Sequence, residues 1–174
     1  LYSPQAELDM HMVELGRGCS RACRFCAAGF IYRPPRLWPH EKVEKAMAAR
    51  PTAVDRVGLL GMEMVPDLSI TELAESLSVS GCMLSFSSLR ADRLSPQLLS
   101  VLGKSSLKSA AIAADGASER LRKIINKGIS GEDLLQAAVL LANAGIDHLK
   151  VYVKIGLLRE TMAGIWELAE LRRE

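Results

Sequence analysis

The chain has 174 residues, 49% of them hydrophobic and 24% charged, with a formal net charge of +2. That length leaves room for one domain with a sizeable core, and the composition excludes a disordered or low-complexity chain. A charge this close to neutral gives no argument for nucleic-acid or membrane binding, and no apolar run reaches the roughly 18 residues of a membrane span.

The first residues, "LYSPQAELDM", lack a basic region followed by an apolar stretch, so no secretory signal is visible. The chain opens at Leu1 and stops inside a helical pattern, "IWELAELRRE", and is read as a piece of a longer protein. Four cysteines at uneven spacing suggest a metal or redox site rather than a disulfide framework, which makes the cytoplasm the expected compartment.

In chain order, "MHMVELG" (10–16) reads as a first strand running into a cysteine-rich loop. "HEKVEKAMAA" (40–49) follows Pro39 and has apolar residues at helical spacing. "VDRVGLLG" (54–61) is a second strand. "SITELAESLSVSG" (69–81) opens with the capping pair Ser69 and Glu72 and ends at Gly81. "CMLSFSSL" (82–89) is a third strand. In "SPQLLSVLG", Ser95 takes the cap position, Pro96 the first helical position and Gly103 the place after the stop. "LKSAAIAAD" (107–115) is a fourth strand, "SERLRKIINKG" a helix closed by Gly128, and "SGEDLLQAAVLLANAG" (130–145) a long amphipathic helix. "HLKVYVKIG" (148–156) is a fifth strand, and "ETMAGIWELAELRRE" begins a further helix.

Strand–helix alternation of this kind gives parallel strands with right-handed crossovers. Five units are too few to close an eight-stranded barrel. The expected architecture is α/β: a partial (βα) barrel of parallel strands with outer helices, with a doubly wound open sheet as the alternative that spacing alone leaves open.

Cys19, Cys23 and Cys26 form C-x3-C-x2-C on the loop after the first strand. Closed structural zinc sites want four ligands, and cubane iron–sulfur clusters usually take four thiolates. The only other cysteine, Cys82, lies on a predicted strand among apolar residues and reads as core. Three thiolates leave one metal position open for an outside ligand. Arg17, Arg21, Arg24, Arg33 and Arg36 surround the loop; nearby cations favour thiolates and offset the charge of a thiolate-ligated cluster.

"CSRACRFC", with Phe25 just before the third cysteine, resembles the motif of the radical S-adenosylmethionine (SAM) superfamily. The wider run "VELGRGCSRACRFCAAGFIYRPPR" is similar to the subset that often carries a cobalamin-binding domain before the radical SAM domain. "SFSSLR" (85–90), "DGASERLRKIINKG" (115–128) and "KIGLLRET" (154–161) sit where such proteins have motifs at successive strand ends. The resemblance implies a single radical SAM core domain over 1–174, a fold truncated near its sixth strand, and a [4Fe-4S] cluster held by Cys19, Cys23 and Cys26. It implies SAM on the fourth iron, reductively split to a 5′-deoxyadenosyl radical, and a reducing protein such as a flavodoxin or ferredoxin.

By the same resemblance Phe25 lies near the SAM adenine. Gly61 would make a backbone contact, and Glu63 would meet the SAM amino group, in a run, "GLLGMEM", where the family often has Gly-Gly-Glu. Ser88 and Arg90 end the third strand, with Arg90 toward the SAM carboxylate or an anionic substrate. Asp115 would accept from the ribose hydroxyls or the amino group. Ser118 is expected to cap its helix and to be a candidate cofactor contact as well. Gly156 is a candidate cofactor contact in "GLLRE", where Leu158 and Arg159 replace the family's Pro and Gly and put the path of a tight turn in question. Lys150, Tyr152 and Lys154 alternate with apolar residues, so one set faces the barrel interior, with Tyr152 expected to pack there.

The expected function is a radical SAM enzyme of unknown substrate; the alternative is a non-catalytic iron–sulfur or zinc-binding structural or sensor module that uses Cys82 as well. Relatives with this loop include cobalamin-dependent methyltransferases and methylthiolating enzymes. Cobalamin would need a domain outside these residues, and methylthiolation three more cysteines than the chain has.

Overall fold

A computed structural model of the chain describes residues 10–61, 72, 75, 82–105 and 107–171. The elements run β1 (His11–Glu14), β2 (Gly16–Arg17), α1 (Ala28–Ile31), β3 (Arg36–Leu37), α2 (His40–Ala48), β4 (Arg56–Leu60), β5 (Met83–Phe86), α3 (Pro96–Lys104), β6 (Ser109–Asp115), α4 (Glu119–Ile124), α5 (Gly131–Asn143), β7 (His148–Val153) and α6 (Met162–Leu171). Of the helix expected over 69–81, only Glu72 and Glu75 are described, both helical and exposed.

β1, β4 and β5 pair in that order, all parallel. β6 and β7 form a second parallel pair, and Leu89, just past β5, bridges to Ile112 of β6. The five long strands therefore follow one another in chain order as a curved parallel sheet without closure, which is the partial barrel. The short β2–β3 ribbon is antiparallel and was not foreseen; two residues a side carry no readable period.

Alternation along the strands explains the layering. Val13, Val57, Leu59, Leu84, Ile112 and Ala114 are buried toward the helices, where Met47 of α2, Leu98 and Leu102 of α3 and Leu141 of α5 complete the core. The other face carries small residues, Gly58, Ser85, Ser109 and Ala111, and lines the concave side.

The caps behave as their chemistry dictates. Ser95 Oγ accepts from Leu98 N at 3.2 Å, with Pro96 at the first helical position. Ser130 and Asp133 make a reciprocal capping box on α5. Gly103 departs from expectation: α3 runs through it to Lys104. A Cβ at Gly103 would lie 3.1 Å from the Ala144 carbonyl, so the glycine serves a close approach rather than a stop. Among the described residues no helix is long and apolar enough to cross a membrane.

Candidate functional site

The strands all run the same way, so their carboxyl ends form one rim, the edge where barrels of this type build their sites. β1 leads by way of β2 into the cysteine loop. Gly61 follows the end of β4, Ser87 and Ser88 that of β5, and Lys154 and Gly156 that of β7, while Asp115 is the last residue of β6.

The cysteine loop is held by contacts from a part of the chain a hundred residues away. Arg24 N donates to Ile125 O at 2.9 Å, its guanidinium donates to Ile124 O, and Asn126 Nδ2 donates to Ala22 O at 2.9 Å. Within the loop Cys26 N donates to Cys23 O at 3.0 Å, and Arg21 N approaches Cys19 Sγ at 3.3 Å. Gly18 makes this path possible. Its φ is +97°, and a Cβ there would sit 2.2 Å from Tyr32 O.

All four cysteines are free thiols. Burial pushes the Cys23 thiol up, the Lys127 and Arg90 cations pull it down, and Cys19 and Cys26 push it up again. Among the described residues no group of three His, Cys, Asp or Glu side chains closes round a single ion. Three cysteine thiols on one loop are a donor set of the chemistry that iron–sulfur clusters take.

Cys82 is remote from it. It precedes β5 at the opposite edge of the sheet, level with Asp55, whereas the loop leaves β1 beyond Glu14, which is level with Leu60. Five residues of strand, roughly 16 Å, separate the two levels. Cys82 packs against the core instead.

At the rim, Asp115 ends β6 with φ +63° and a side chain 9% exposed. Its carboxylate accepts from Lys127 Nζ at 2.7 Å and from Lys154 Nζ. Burial acts to raise its pKa, but the hydrogen bonds and charges of the two lysines outweigh it and hold the carboxyl below its usual value. Lys154 Nζ also lies 4.4 Å from the centroid of the Phe25 ring, a cation–π contact that ties the cysteine loop to the end of β7. Phe25 and Asp115 are thus brought together, through a lysine that sequence reasoning had placed only by alternation. Lys154 directly follows Val153, the register partner of Asp115, and that pairing is not readable from the sequence.

Arg90 is turned inward. Its guanidinium donates to both Asp92 oxygens, at 2.8 and 3.0 Å, and to Lys127 O at 2.9 Å, and Asp92 in turn faces Arg21 of the loop at 3.4 Å. Ser118 is 2% exposed and caps α4, accepting from Leu121 N at 3.2 Å. Ser88 is exposed at the rim. Gly61 packs on the start of β2: its φ is +85°, and a Cβ would lie 2.6 Å from Gly16 O. Glu63 lies outside the described residues.

The altered turn after β7 keeps a tight path. Gly156 and Arg159 both have positive φ, and Gly156 N donates to Glu160 Oε2 at 2.6 Å. Arg159 thus adopts a left-handed backbone conformation that favours glycine. A cleft of about 190 Å³ opens beside β5, β6 and β7, lined by Ser85, Ser87, Ser109, Lys150 and Tyr152 and reaching the core at Leu102. Tyr152 was expected to be packed; it is 54% exposed, because β7 has no further strand beside it among the described residues.

A family model of the radical SAM superfamily matches residues 13–172. The chain belongs to that superfamily. Its fold agrees: the cobalamin-dependent S-adenosylmethionine radical enzyme OxsB, with aqua-cobalamin bound, superposes with a TM-score of 0.72 at 19% identity over 92% of this chain and 26% of its own. Coproporphyrinogen III oxidase (HemN) from Escherichia coli, described as a radical SAM enzyme, gives a TM-score of 0.66 at 12% identity, covering 93% of this chain and 42% of its own. An uncharacterised protein of Methanocaldococcus jannaschii is 34% identical over the whole chain. The chain spans 40% of that protein's length.

Proposed function

We propose that this radical SAM chain holds a [4Fe-4S] cluster through Cys19, Cys23 and Cys26 and cleaves S-adenosylmethionine reductively to a 5′-deoxyadenosyl radical, as the core domain of a cytoplasmic enzyme. The observation that carries the reading is the docking of a three-thiol loop, with Phe25, against the Lys127–Asp115–Lys154 node at the strand ends. When bound, the cluster supplies a low-potential electron and one iron open to an outside ligand.

The chain's own residues supply binding and orientation. Lys127 and Arg90 offset the negative charge of the thiolates. Phe25 and the Gly156 turn offer an apolar surface and backbone groups for an adenine. Asp115, ionised and fixed by two lysines, accepts hydrogen bonds from hydroxyl or ammonium groups of the same ligand, with Ser88 and Gly61 after other strands of the same rim. Arg90 acts by positioning, tying Asp92 and the Lys127 backbone behind the loop. Cobalamin chemistry, as named for OxsB, would reach this protein only through a domain outside these 174 residues.

The test is anaerobic reconstitution followed by electron paramagnetic resonance of the reduced protein with and without SAM. The expected outcome is about four irons per chain and a signal that changes when SAM is added, in wild type and in Cys82→Ala alike. Loss of metal on Cys82→Ala, or a signal indifferent to SAM, would favour the sensor or structural module instead.

A further inference from the structure

Between Leu15 and His40 the chain carries five arginines and not one Asp or Glu, although its overall formal charge is only +2. Two of the five are compensated: Arg17 pairs with Glu14 at 2.8 Å, and Arg21 faces Asp92 at 3.4 Å. Arg24 and Arg33 donate to backbone carbonyls, of Ile124 and Gly29, and have no carboxylate partner among the described residues. Arg36 is exposed and has no carboxylate partner among the described residues.

The same segment exposes four large apolar side chains: Phe30 at 56%, Ile31 at 71%, Tyr32 at 42% and Leu37 at 42%. Three of them are consecutive in the chain, and Tyr32 and Leu37 both lie against the Gly16–Gly18 segment. The Arg33 guanidinium lies 5.7 Å from the Phe30 ring centroid and that of Arg17 5.8 Å from the Tyr32 ring. Arg36 and Leu37 pair with Arg17 and Gly16 across the short ribbon, and Gly18 packs on Tyr32 and Pro35. Phe30 follows Cys26 by four residues, so the face borders the cysteine loop.

An apolar centre ringed by cations has the anatomy of a docking site. Encounters between redox proteins are small, transient and steered by opposite charge. We propose that this face, Phe30–Ile31–Tyr32–Leu37 with Arg33 and Arg36, docks an acidic one-electron carrier protein that reduces the metal centre. This inference rests on the cluster reading above. One electron leaves the carrier's reduced flavin or iron–sulfur group, oxidising it by one unit, and the centre on the cysteine loop is reduced by one unit; no bond forms or breaks. Arginine–aromatic surfaces also stack single-stranded nucleic acid, but Ile31 and Leu37, the aliphatic half of this face, offer no ring to stack on.

The test uses the full-length protein, a fluorescently labelled acidic flavodoxin, and the exposed-site variants Ile31→Asp and Arg36→Glu. Anisotropy titration should show binding that weakens about tenfold between about 20 and about 200 mM salt, and at least about fivefold in each variant. Reduction by flavodoxin should slow in parallel, while reduction by dithionite and iron content stay at the wild-type level. Variants that bind flavodoxin as wild type does would overturn the proposal. So would a labelled single-stranded RNA that binds in its place, or a full-length Ile31→Asp whose melting point drops with flavodoxin binding intact, which would make the face an internal contact. The titration needs no metal centre, so failure of the docking and failure of the cluster reading are seen separately.

Discussion

β6 and β7 are neighbours, parallel, of similar length and similar apolar content, yet one is sealed and the other open. Ile112 of β6 is register partner to Val151 of β7; the first is 0% exposed and the second 39%. Ile112 has strands on both sides, through Leu89 and β7, and α3 and α5 beneath it. Among the described residues Val151 has a strand, β6, on one side only, and Leu149 is 36% exposed. Strand character alone does not decide burial; cover does. The rim follows the same division, since Asp115 at the end of β6 is buried while Lys154 beyond β7 keeps 46% of its side chain in solvent.

The largest effect expected tests that division directly. Ile112→Ala removes buried methylenes from a site walled on all sides and should cost about 4 kcal/mol. Val151→Ala, one strand over on the same face, should cost under about 1 kcal/mol. Urea denaturation of the two variants measures the gap. Equal losses would mean that β7 is as tightly covered as β6 and that the contrast is false.

Next comes the node that joins the two strands. Asp115→Asn keeps the left-handed backbone that Asn tolerates, but leaves the buried Lys127 without its counter-charge, and should cost about 3 kcal/mol at neutral pH. The sign with pH follows from the lowered pKa of Asp115: its contribution is complete above the ordinary carboxylate value and fades as the pH falls through the lower, folded value. The gap between wild type and variant should therefore be constant near pH 6 and shrink below about pH 4. A gap independent of pH down to acid unfolding would show that the ion pairs contribute nothing.

These contrasts also mark what the sequence could and could not reveal. The alternation of strands and helices, the caps at Ser95 and Ser118, and the three-cysteine loop all depend on residues within a few positions of one another, where spacing is informative. The node depends on residues 12 and 39 positions apart, and the loop's anchor at Ile124–Asn126 on residues about a hundred apart. No local pattern encodes such meetings. Arg90 shows the limit most clearly. Its place at a strand end suggested a ligand contact, whereas its side chain is folded onto Asp92 and Lys127 O, a direction set by the two residues after it and by a loop 37 residues away. Gly103 misled for the same reason, because its neighbour is Ala144.

The smallest effect concerns the turn after β7 and sets its strain against that of Asp115. Both Asp115 and Arg159 have positive φ, +63° and +67°. Asp is among the residues that visit this region, and at position 115 two lysines hold it there; Arg159 is a long side chain with no such preference. Its known contact is made by the backbone, the Arg159 carbonyl accepting from Arg120 Nη2 at 2.7 Å, and a glycine would keep it. Relief of the left-handed conformation is worth about 1–2 kcal/mol, against about 0.5–1 kcal/mol lost to the freer unfolded chain. Arg159→Gly should therefore stabilise the chain by roughly 0.5 kcal/mol, a rise of about two degrees in Tm for a chain of this size. A fall in Tm would mean that the arginine side chain makes stabilising contacts that outweigh the strain of its left-handed backbone.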